Sequence, residues 1–239
     1  MKRLIKVVVP FLLVAFLAAA QAHAQNLLPP PVKSPDCEQK IAKAKAAISD
    51  YQSSTRSWSG RWDRVTDIKP ELRKYLEETH DVTPVGEAKI RQEIEVTYAK
   101  GKYDLKLSRL DKQGKVLGTS HFSGSDPEVT DILHSVQDMV MARCVNSWDY
   151  CSADNCFVSK SSTGWSAAYL DPAKGYVPTK LLMGNFKLDG AASTVFSDFK
   201  QDKKTGRWIP WKMVDTIRVP EQNVVGKIVT MKCLDFKFD

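Results

Sequence analysis

Residues 89–108, with the sequence KIRQEIEVTYAKGKYDLKLS, decide the fold of this chain. Within 90–98 the even positions are mostly apolar and the odd positions are charged or polar, and in 102–108 the odd positions are the apolar ones. A period of two is typical of a strand with one buried face, and two such runs joined by the Lys100-Gly101 turn predict an antiparallel hairpin. We therefore expect this hairpin to have one apolar and one solvated face.

Further strands are predicted on both sides of the hairpin. Upstream, Trp58, Gly60 and Trp62 alternate with polar residues, and the segment Pro70 to His80 is predicted as a helical turn and loop. Downstream, turn residues such as Asp189-Gly190 separate several short runs rich in strand-forming residues. These predicted strands lie near residues 165–170, 176–186, 195–200, 208–219 and 224–236.

Two segments have the apolar spacing of helices. In the first, residues 37–51, apolar side chains recur every three or four positions and share one helix face: Cys37, Ile41, Ala44, Ile48 and Tyr51. The second begins at a capping box, residues 125–128, with Pro127 in its first turn. Its apolar face consists of Val129, Ile132, Leu133, Val136, Met139 and Val140.

This order of elements predicts an α+β fold that is mainly antiparallel β. Long strands that are solvent-exposed on one face must bury their other, apolar face, and amphipathic helices can pack against it. We expect a strongly curved sheet that forms an open half-barrel, covered by two or more amphipathic helices.

The N-terminal segment has the layout of a cleaved secretory signal peptide. A positively charged head at residues 2–6 precedes an uncharged apolar run, and small residues lead to a cleavage site between Ala24 and Gln25. The run is shorter than the roughly 20 apolar residues that a spanning helix needs, so peripheral rather than integral membrane contact is expected. The predicted layout is a signal peptide at 1–24, a proline-rich linker at 25–35 and a single domain at 36–239, exported to the periplasm.

The charge of the chain argues against a nucleic-acid partner. The formal net charge is +7, and removal of the three cations in residues 1–24 leaves +7 − 3 = +4. Lysine and arginine are spread along the chain, whereas nucleic-acid binding requires clustered cations. No nucleic-acid partner is predicted.

Five cysteines lie downstream of the predicted cleavage site, in a compartment where disulfides persist. The odd number leaves at least one thiol without an intramolecular partner. Cys151 and Cys156 are the best disulfide candidates, because Asp154-Asn155 supplies turn residues between them. Cys37 is expected to be a small buried side chain on its helix face. No pair has the spacing of a thiolate zinc site, so no metal is predicted.

Catalytic signatures are absent from the sequence. There is no G-x-S-x-G elbow, no H-E-x-x-H pair and no glycine-rich phosphate loop. His80, His121 and His134 have no cysteine or carboxylate at a motif spacing. The chain is therefore predicted not to be an enzyme and to need no cofactor.

The predicted strands collect many aromatic and aliphatic side chains on single faces. The commoner use of such residues is an ordinary packed core. The alternative is a concave apolar surface that the helices fill incompletely and that accepts a lipid or an exposed hydrophobic segment. For that alternative the candidate lining residues are Trp58, Trp62, Ile94, Val96, Tyr98, Tyr103, Leu105 and Leu107.

Short motifs in the second half resemble a known family. They are TGW at 163–165, YLDP at 169–172, GYVP at 175–178 and GRWIP at 206–210. In this order they resemble the periplasmic lipoprotein-carrier superfamily (LolA/LolB-like), which includes envelope-stress regulators of the MucB/RseB type. The helix that precedes the Trp58–Trp62 strand is similar as well.

The resemblance implies an unclosed antiparallel barrel, lidded by helices, with an apolar cavity for acyl chains. The leading hypothesis is thus a non-enzymatic periplasmic binding protein for a lipid, a lipoprotein acyl chain or a hydrophobic segment. A second hypothesis is an interaction or sensor domain that binds envelope proteins at its sheet edge. A third is a secreted hydrolase whose site is assembled from dispersed residues, with one of the three histidines essential.

Overall fold

A computed structural model of the chain describes residues 28–31, 36–80, 87–123, 130–141, 148–152, 155–185, 190–219, 222 and 224–238. The predicted signal peptide and its cleavage site lie outside these residues. The predicted capping box at 125–128 and Cys144 also lie outside them.

The residues that the structure describes form three α-helices and thirteen strands. The helices are α1 (Cys37–Ser54), α2 (Pro70–His80) and α3 (Thr130–Met141). The first strands are β1 (Ser57–Ile68), β2 (Lys89–Ala99), β3 (Lys102–Leu110), β4 (Val116–Ser123), β5 (Tyr150–Ser152) and β6 (Cys156–Lys160). The later strands are β7 (Gly164–Asp171), β8 (Val177–Asn185), β9 (Gly190–Ser197), β10 (Lys200–Gln201), β11 (Trp208–Ile209), β12 (Lys212–Arg218) and β13 (Val225–Phe238).

Eleven strands form one antiparallel sheet in the order β4-β3-β2-β1-β13-β12-β9-β8-β7-β6-β5, and β10 pairs with β11 separately. Strands β4 and β5 lie at opposite edges and are not paired with each other, so the described sheet is open. The predicted fold class, a curved half-barrel sheet with helices, is confirmed.

The hairpin predicted from residues 89–108 forms as β2 and β3. Its register pairs Tyr98 with Tyr103, and the two turn residues have positive φ values of 51° at Lys100 and 78° at Gly101. Such a turn matches the twist of the strands it joins, and glycine adopts the left-handed region without steric cost.

Helices α1 and α3 bury the apolar faces that the sequence predicts. Ala44 and Ile48 of α1 and Val136 and Val140 of α3 belong to one core cluster with the sheet residue Trp58. We call the sheet face that carries this cluster the concave face.

The opposite, convex face is mostly charged in the β1–β3 region. Arg91 Nε lies 2.9 Å from Asp63 Oδ1, and Lys106 Nζ lies 3.3 Å from Glu95 Oε1. Farther along, a smaller apolar cluster around Trp165 includes Leu28. Residues 28–31 are the described part of the predicted linker, and Leu28 packs against the sheet.

The predicted disulfide between Cys151 and Cys156 is wrong. Cys151 is bonded to Cys37, with 5.6 Å between their Cα atoms, and Cys156 is a buried free thiol. In the β5–β6 ladder Cys151 pairs with Phe157 and belongs to the concave-face cluster, whereas Cys156 belongs to the convex-face cluster. The two sulfurs therefore lie on opposite faces. Cys37 is a covalent anchor of α1 rather than only a small apolar side chain.

Removal of this bond should lower the free energy of unfolding. The crosslink joins positions 114 residues apart, and for such a loop we expect a loss of about 2–4 kcal/mol in Cys37→Ser/Cys151→Ser. Urea denaturation measures the loss. A reductant should lower the stability of the wild type by a similar amount and leave the double variant unchanged. Peptide mapping that found Cys151 joined to Cys156 would contradict the assignment.

Candidate functional site

The eight predicted lining residues share the concave face. In the strand register, Trp62 pairs with Ile94 and Ile94 with Leu107, and cross-strand partners lie on the same side of a sheet. The same register pairs Trp58 with Tyr98, Tyr98 with Tyr103, and Val96 with Leu105. The register thus brings the eight side chains to one face of the sheet.

Helices α1 and α3 cover these eight residues. Trp58, Trp62, Ile94, Val96 and Leu105 are at most 1% exposed, and Tyr98, Tyr103 and Leu107 pack against the same core. Gln137 Nε2 on α3 donates a hydrogen bond of 2.7 Å to the hydroxyl of Tyr103. None of the eight lines the pocket described next. As ligand-binding residues they stay a prediction.

An open pocket of about 600 Å³ lies farther along the same concave face. Met183 pairs with Ala192, Ala192 with Ile217, and Ile217 with Lys227, whose partner in β1 is Ile68. Ile68 lies six residues after Trp62 in a strand that is regular there, so the whole row faces the side that Trp62 faces. We call this space the concave pocket.

The wall of the concave pocket is mainly apolar. Its apolar part is formed by Leu72 and Tyr75 of α2 together with Met183, Ala192 and Ile217 of the sheet. Met183 is 51% exposed although it is a large apolar side chain. Polar residues border the space: Ser159, Ser161, Thr163, Asn185 and Arg218.

Helix α2 closes one side of the pocket, and a glycine permits its close approach to the sheet. A Cβ atom on Gly226 of β13 would lie 3.0 Å from Leu72 Cβ and 2.9 Å from Val219 Cγ2. The Lys69 amide, just before the helix, donates 2.8 Å to the Gly226 carbonyl. The sequence predicted only a helical turn and loop here, so it missed the helix that shapes the pocket.

A half-buried carboxyl lies between the filled core and the pocket. Asp215 stands two residues before Ile217 in β12 and accepts a hydrogen bond of 3.1 Å from Thr194 Oγ1. Burial raises the pKa of Asp215, against the opposing effects of this bond and of the charges of Lys227 and Arg64.

Histidines do not form a cluster in the described structure. His121 lies on the exposed edge strand β4 and His134 on α3, while the side chain of His80 lies outside the described residues. Among the residues that the structure describes, no group of His, Cys, Asp and Glu could hold a metal ion. Within the same residues, no helix has the length and apolar character needed to cross a membrane.

Asp215→Asn should change how stability depends on pH. The folded-state pKa of Asp215 lies above its ordinary value of 3.8, so the wild type loses stability as pH rises from that value through the raised pKa. The asparagine oxygen can still accept from Thr194, so the variant should be the more stable protein at pH 7, with the difference shrinking toward pH 3.5. Denaturation at both pH values measures this.

Asp171→Asn is the matched control, and its change in stability at pH 7 should have the opposite sign. The hydrogen bond from Lys174 lowers the pKa of Asp171, so Asp171→Asn should lose stability at pH 7 and little at low pH. A lower stability of Asp215→Asn at pH 7 would contradict the assigned direction.

Comparison with known proteins finds similarities of fold. No protein-family model matches the chain, and no curated protein matches it at a significant level. A solved structure described as an outer membrane lipoprotein-sorting protein domain from Vibrio parahaemolyticus is similar, with 11% identity over 84% of this chain and 93% of that chain and a TM-score of 0.46. A DUF1329 family protein from Desulfovibrio piger shares 7% identity over 84% and 92% of the two chains, with a TM-score of 0.45.

A LolA superfamily protein from Nitrosomonas europaea is also similar. Its identity is 9% over 84% of this chain and 93% of that chain, and the TM-score is 0.28. These are similarities of fold, and neither a ligand nor a partner is transferred from them.

Proposed function

We propose that this protein is a non-enzymatic periplasmic binding protein that holds the alkyl or acyl chain of a lipid or lipoprotein in the concave pocket. The observation that carries the proposal is Met183, a large apolar side chain that is 51% exposed inside a concave space. Sites for small ligands usually have volumes of about 300–1,000 Å³ and mostly apolar walls. The concave pocket has both properties.

The driving force would be the removal of apolar surface from water. At about 25 cal/mol per Å², shelter of about 300 Å² of an alkyl chain favours binding by roughly 7 kcal/mol before the ordering costs. Such a balance supports capture that is reversible. A carrier needs both capture and release.

A larger ligand would bind in two steps, first in the concave pocket and then on the part of the concave face that the helices cover. The aromatic residues below α1 and α3 are continuous with the pocket wall through Leu181, two residues before Met183, and Phe196, four residues after Ala192. If α3 moves outward, a longer chain could extend from the pocket onto the predicted lining residues. This extension is where the eight residues would contact a ligand.

The binding proposal predicts a face-specific loss of affinity. N-phenyl-1-naphthylamine, a neutral apolar probe, should bind saturably to the wild type. Met183→Glu should weaken binding by about tenfold or more, because a carboxylate in an apolar site costs desolvation energy. Ala192→Trp should also weaken binding, because it fills the pocket without adding a charge.

Val195→Glu is the matched control. Val195 is another exposed apolar residue, 43% exposed, on the neighbouring strand. It pairs with Lys180, whose neighbour Leu181 faces the concave core, so Val195 faces the convex side. Probe affinity should stay unchanged in this variant. Equal affinities in the wild type and all three variants would refute binding in the concave pocket.

A second candidate function, binding of an envelope protein at the sheet edge, is favoured by β4. This strand pairs only with β3 in the described structure, and its Val116 and Leu117 are 53% and 58% exposed. An exposed edge presents backbone groups that can accept another strand.

Edge binding can be tested by hydrogen exchange. Amides of residues 116–123 should exchange fast in the purified protein and become protected when an envelope partner is added. Leu117→Lys should abolish that protection, since charge on an edge strand blocks pairing. Protection that persists in the variant would count against this candidate.

A further inference from the structure

We propose that the convex face of β8, β9, β12 and β13 docks on an anionic lipid surface, with the ammonium groups of Lys212 and Lys232 at the centre of the contact. Peripheral membrane contact is predicted from the sequence, and the charges of the sheet place it on this face. The contact does not depend on the proposed function, because the concave pocket lies on the opposite face.

Lys212 and Lys232 stand directly opposite each other on the convex face. The register pairs Lys212 with Lys232, and Lys232 with Asp63 of the convex ion pair. Lys232 is exposed and Lys212 is half-buried. Directly opposite side chains have Cβ atoms about 4.5–5.5 Å apart, and two like charges in such positions destabilise a sheet. A bound anion would relieve this repulsion.

Neighbouring carboxylates do not neutralise the two lysines. Both oxygens of Asp63 accept hydrogen bonds from Arg91, at 2.9 and 3.2 Å. The other cross-strand partner of Lys212 is Ser197, and Asp235, farther along β13, lies opposite an arginine of β1. Within the part of the chain that the structure describes, neither ammonium group forms an ion pair.

The convex face has balanced charges at one end of the sheet and an excess of cations at the other. Strand β2 directs two cations and two carboxylates to this face: Lys89, Arg91, Glu93 and Glu95. The described residues of β8, β9 and β12 that face the same side include Lys180, Lys212 and Arg218 and no carboxylate. Each lysine or arginine near an anionic lipid surface strengthens binding by about fivefold.

A strip of short β-branched side chains lies beside the two lysines. Thr230, Val214 and Val195 pair in turn across β13, β12 and β9, two residues along the strands from Lys232 and Lys212. Val195 is 43% exposed. We call these five residues, together with Lys180, the convex patch.

The composition of the convex patch favours lipid head groups over a protein partner. It contains no tryptophan, tyrosine or arginine, the residues that most often anchor protein interfaces. Lysine carries a compact, hydrated charge on a flexible stem, so it can contact an anion without a fixed geometry. Contact with a layer of mobile anionic head groups requires no more than that.

Docking through the convex patch turns the concave pocket away from the bilayer, since the two faces of a sheet are opposite. A ligand in the pocket and a membrane at the convex patch therefore do not compete. The two contacts can be measured separately in one protein.

Co-sedimentation with lipid vesicles tests the proposal. The purified protein should bind vesicles that contain about one third phosphatidylglycerol in phosphatidylcholine, and should bind pure phosphatidylcholine weakly. Salt at about 1 M should release it, because the Debye length there is about 3 Å. Lys212→Gln/Lys232→Gln should weaken binding to the anionic vesicles by about tenfold or more.

Lys43→Gln/Lys45→Gln is the matched control for the loss of two positive charges. Both lysines are exposed on α1, which covers the concave face. This variant should bind anionic vesicles like the wild type. Urea denaturation gives a second readout: Lys212→Gln/Lys232→Gln should be at least as stable as the wild type, because the variant lacks the like-charge pair. A clear loss of stability would contradict the repulsion and overturn the proposal.

The outcomes separate vesicle docking from pocket binding. Val195→Glu should weaken vesicle binding and keep the affinity for N-phenyl-1-naphthylamine, whereas Met183→Glu should do the reverse. Equal binding to neutral and anionic vesicles, or unchanged binding in Lys212→Gln/Lys232→Gln, would overturn the role of the convex patch and leave the proposed function standing. Binding to polyglutamate beads without binding to anionic vesicles would assign the patch to an acidic protein, which would overturn the membrane contact as well.

Discussion

The pairing of the first strand with the last is the constraint on which the other features depend. β1 and β13 run antiparallel from Trp58–Phe238 to Ile68–Lys227, and this ladder joins the two halves of the sheet. Without it, β2–β4 would be separated from β5–β9 and β12. The concave pocket needs the same ladder, because α2 follows β1 and packs against β13 beside Gly226. A contact between residues so distant in sequence is costly to form, and burial of Trp58 and Trp62 on its concave side offsets that cost.

The concave face is filled by side chains along one part of its length and open along another. The volume of the side chains that each strand contributes accounts for the difference. Where β1 contributes Trp58 and Trp62, the aromatic rings and the apolar faces of α1 and α3 fill the space. Where β7 and β9 contribute Ser166 and Ala192, the side chains are too small to meet α2, and an open pocket results. The sheet thus supplies its own core at one end and a ligand-sized space at the other.

Much of the fold can be predicted from local patterns, because those patterns report single elements. The period of two in residues 89–108 identifies β2, β3 and their buried face, and the helical spacing identifies the apolar faces of α1 and α3. The concave pocket cannot be predicted from such local patterns. Met183, Ala192 and Ile217 come from three strands and meet only through register, and α2 is too polar over Pro70–His80 to be recognised as a packed helix. The disulfide could not be predicted from such patterns either. The spacing favoured a bond between Cys151 and Cys156, but the two side chains lie on opposite faces of the β5–β6 ladder.

The bond between Cys37 and Cys151 makes the two covering helices unequal. It fastens the first residue of α1 to the edge strand β5. At the other end of the helix, Arg207 stacks 4.6 Å above the ring of Tyr51 and donates to Thr55 Oγ1. When the disulfide is formed, helix α1 is thus held to the rest of the fold at both of its ends. We therefore expect α3 to move more readily than α1, and reduction of this disulfide would remove the contact that holds α1 at its first residue.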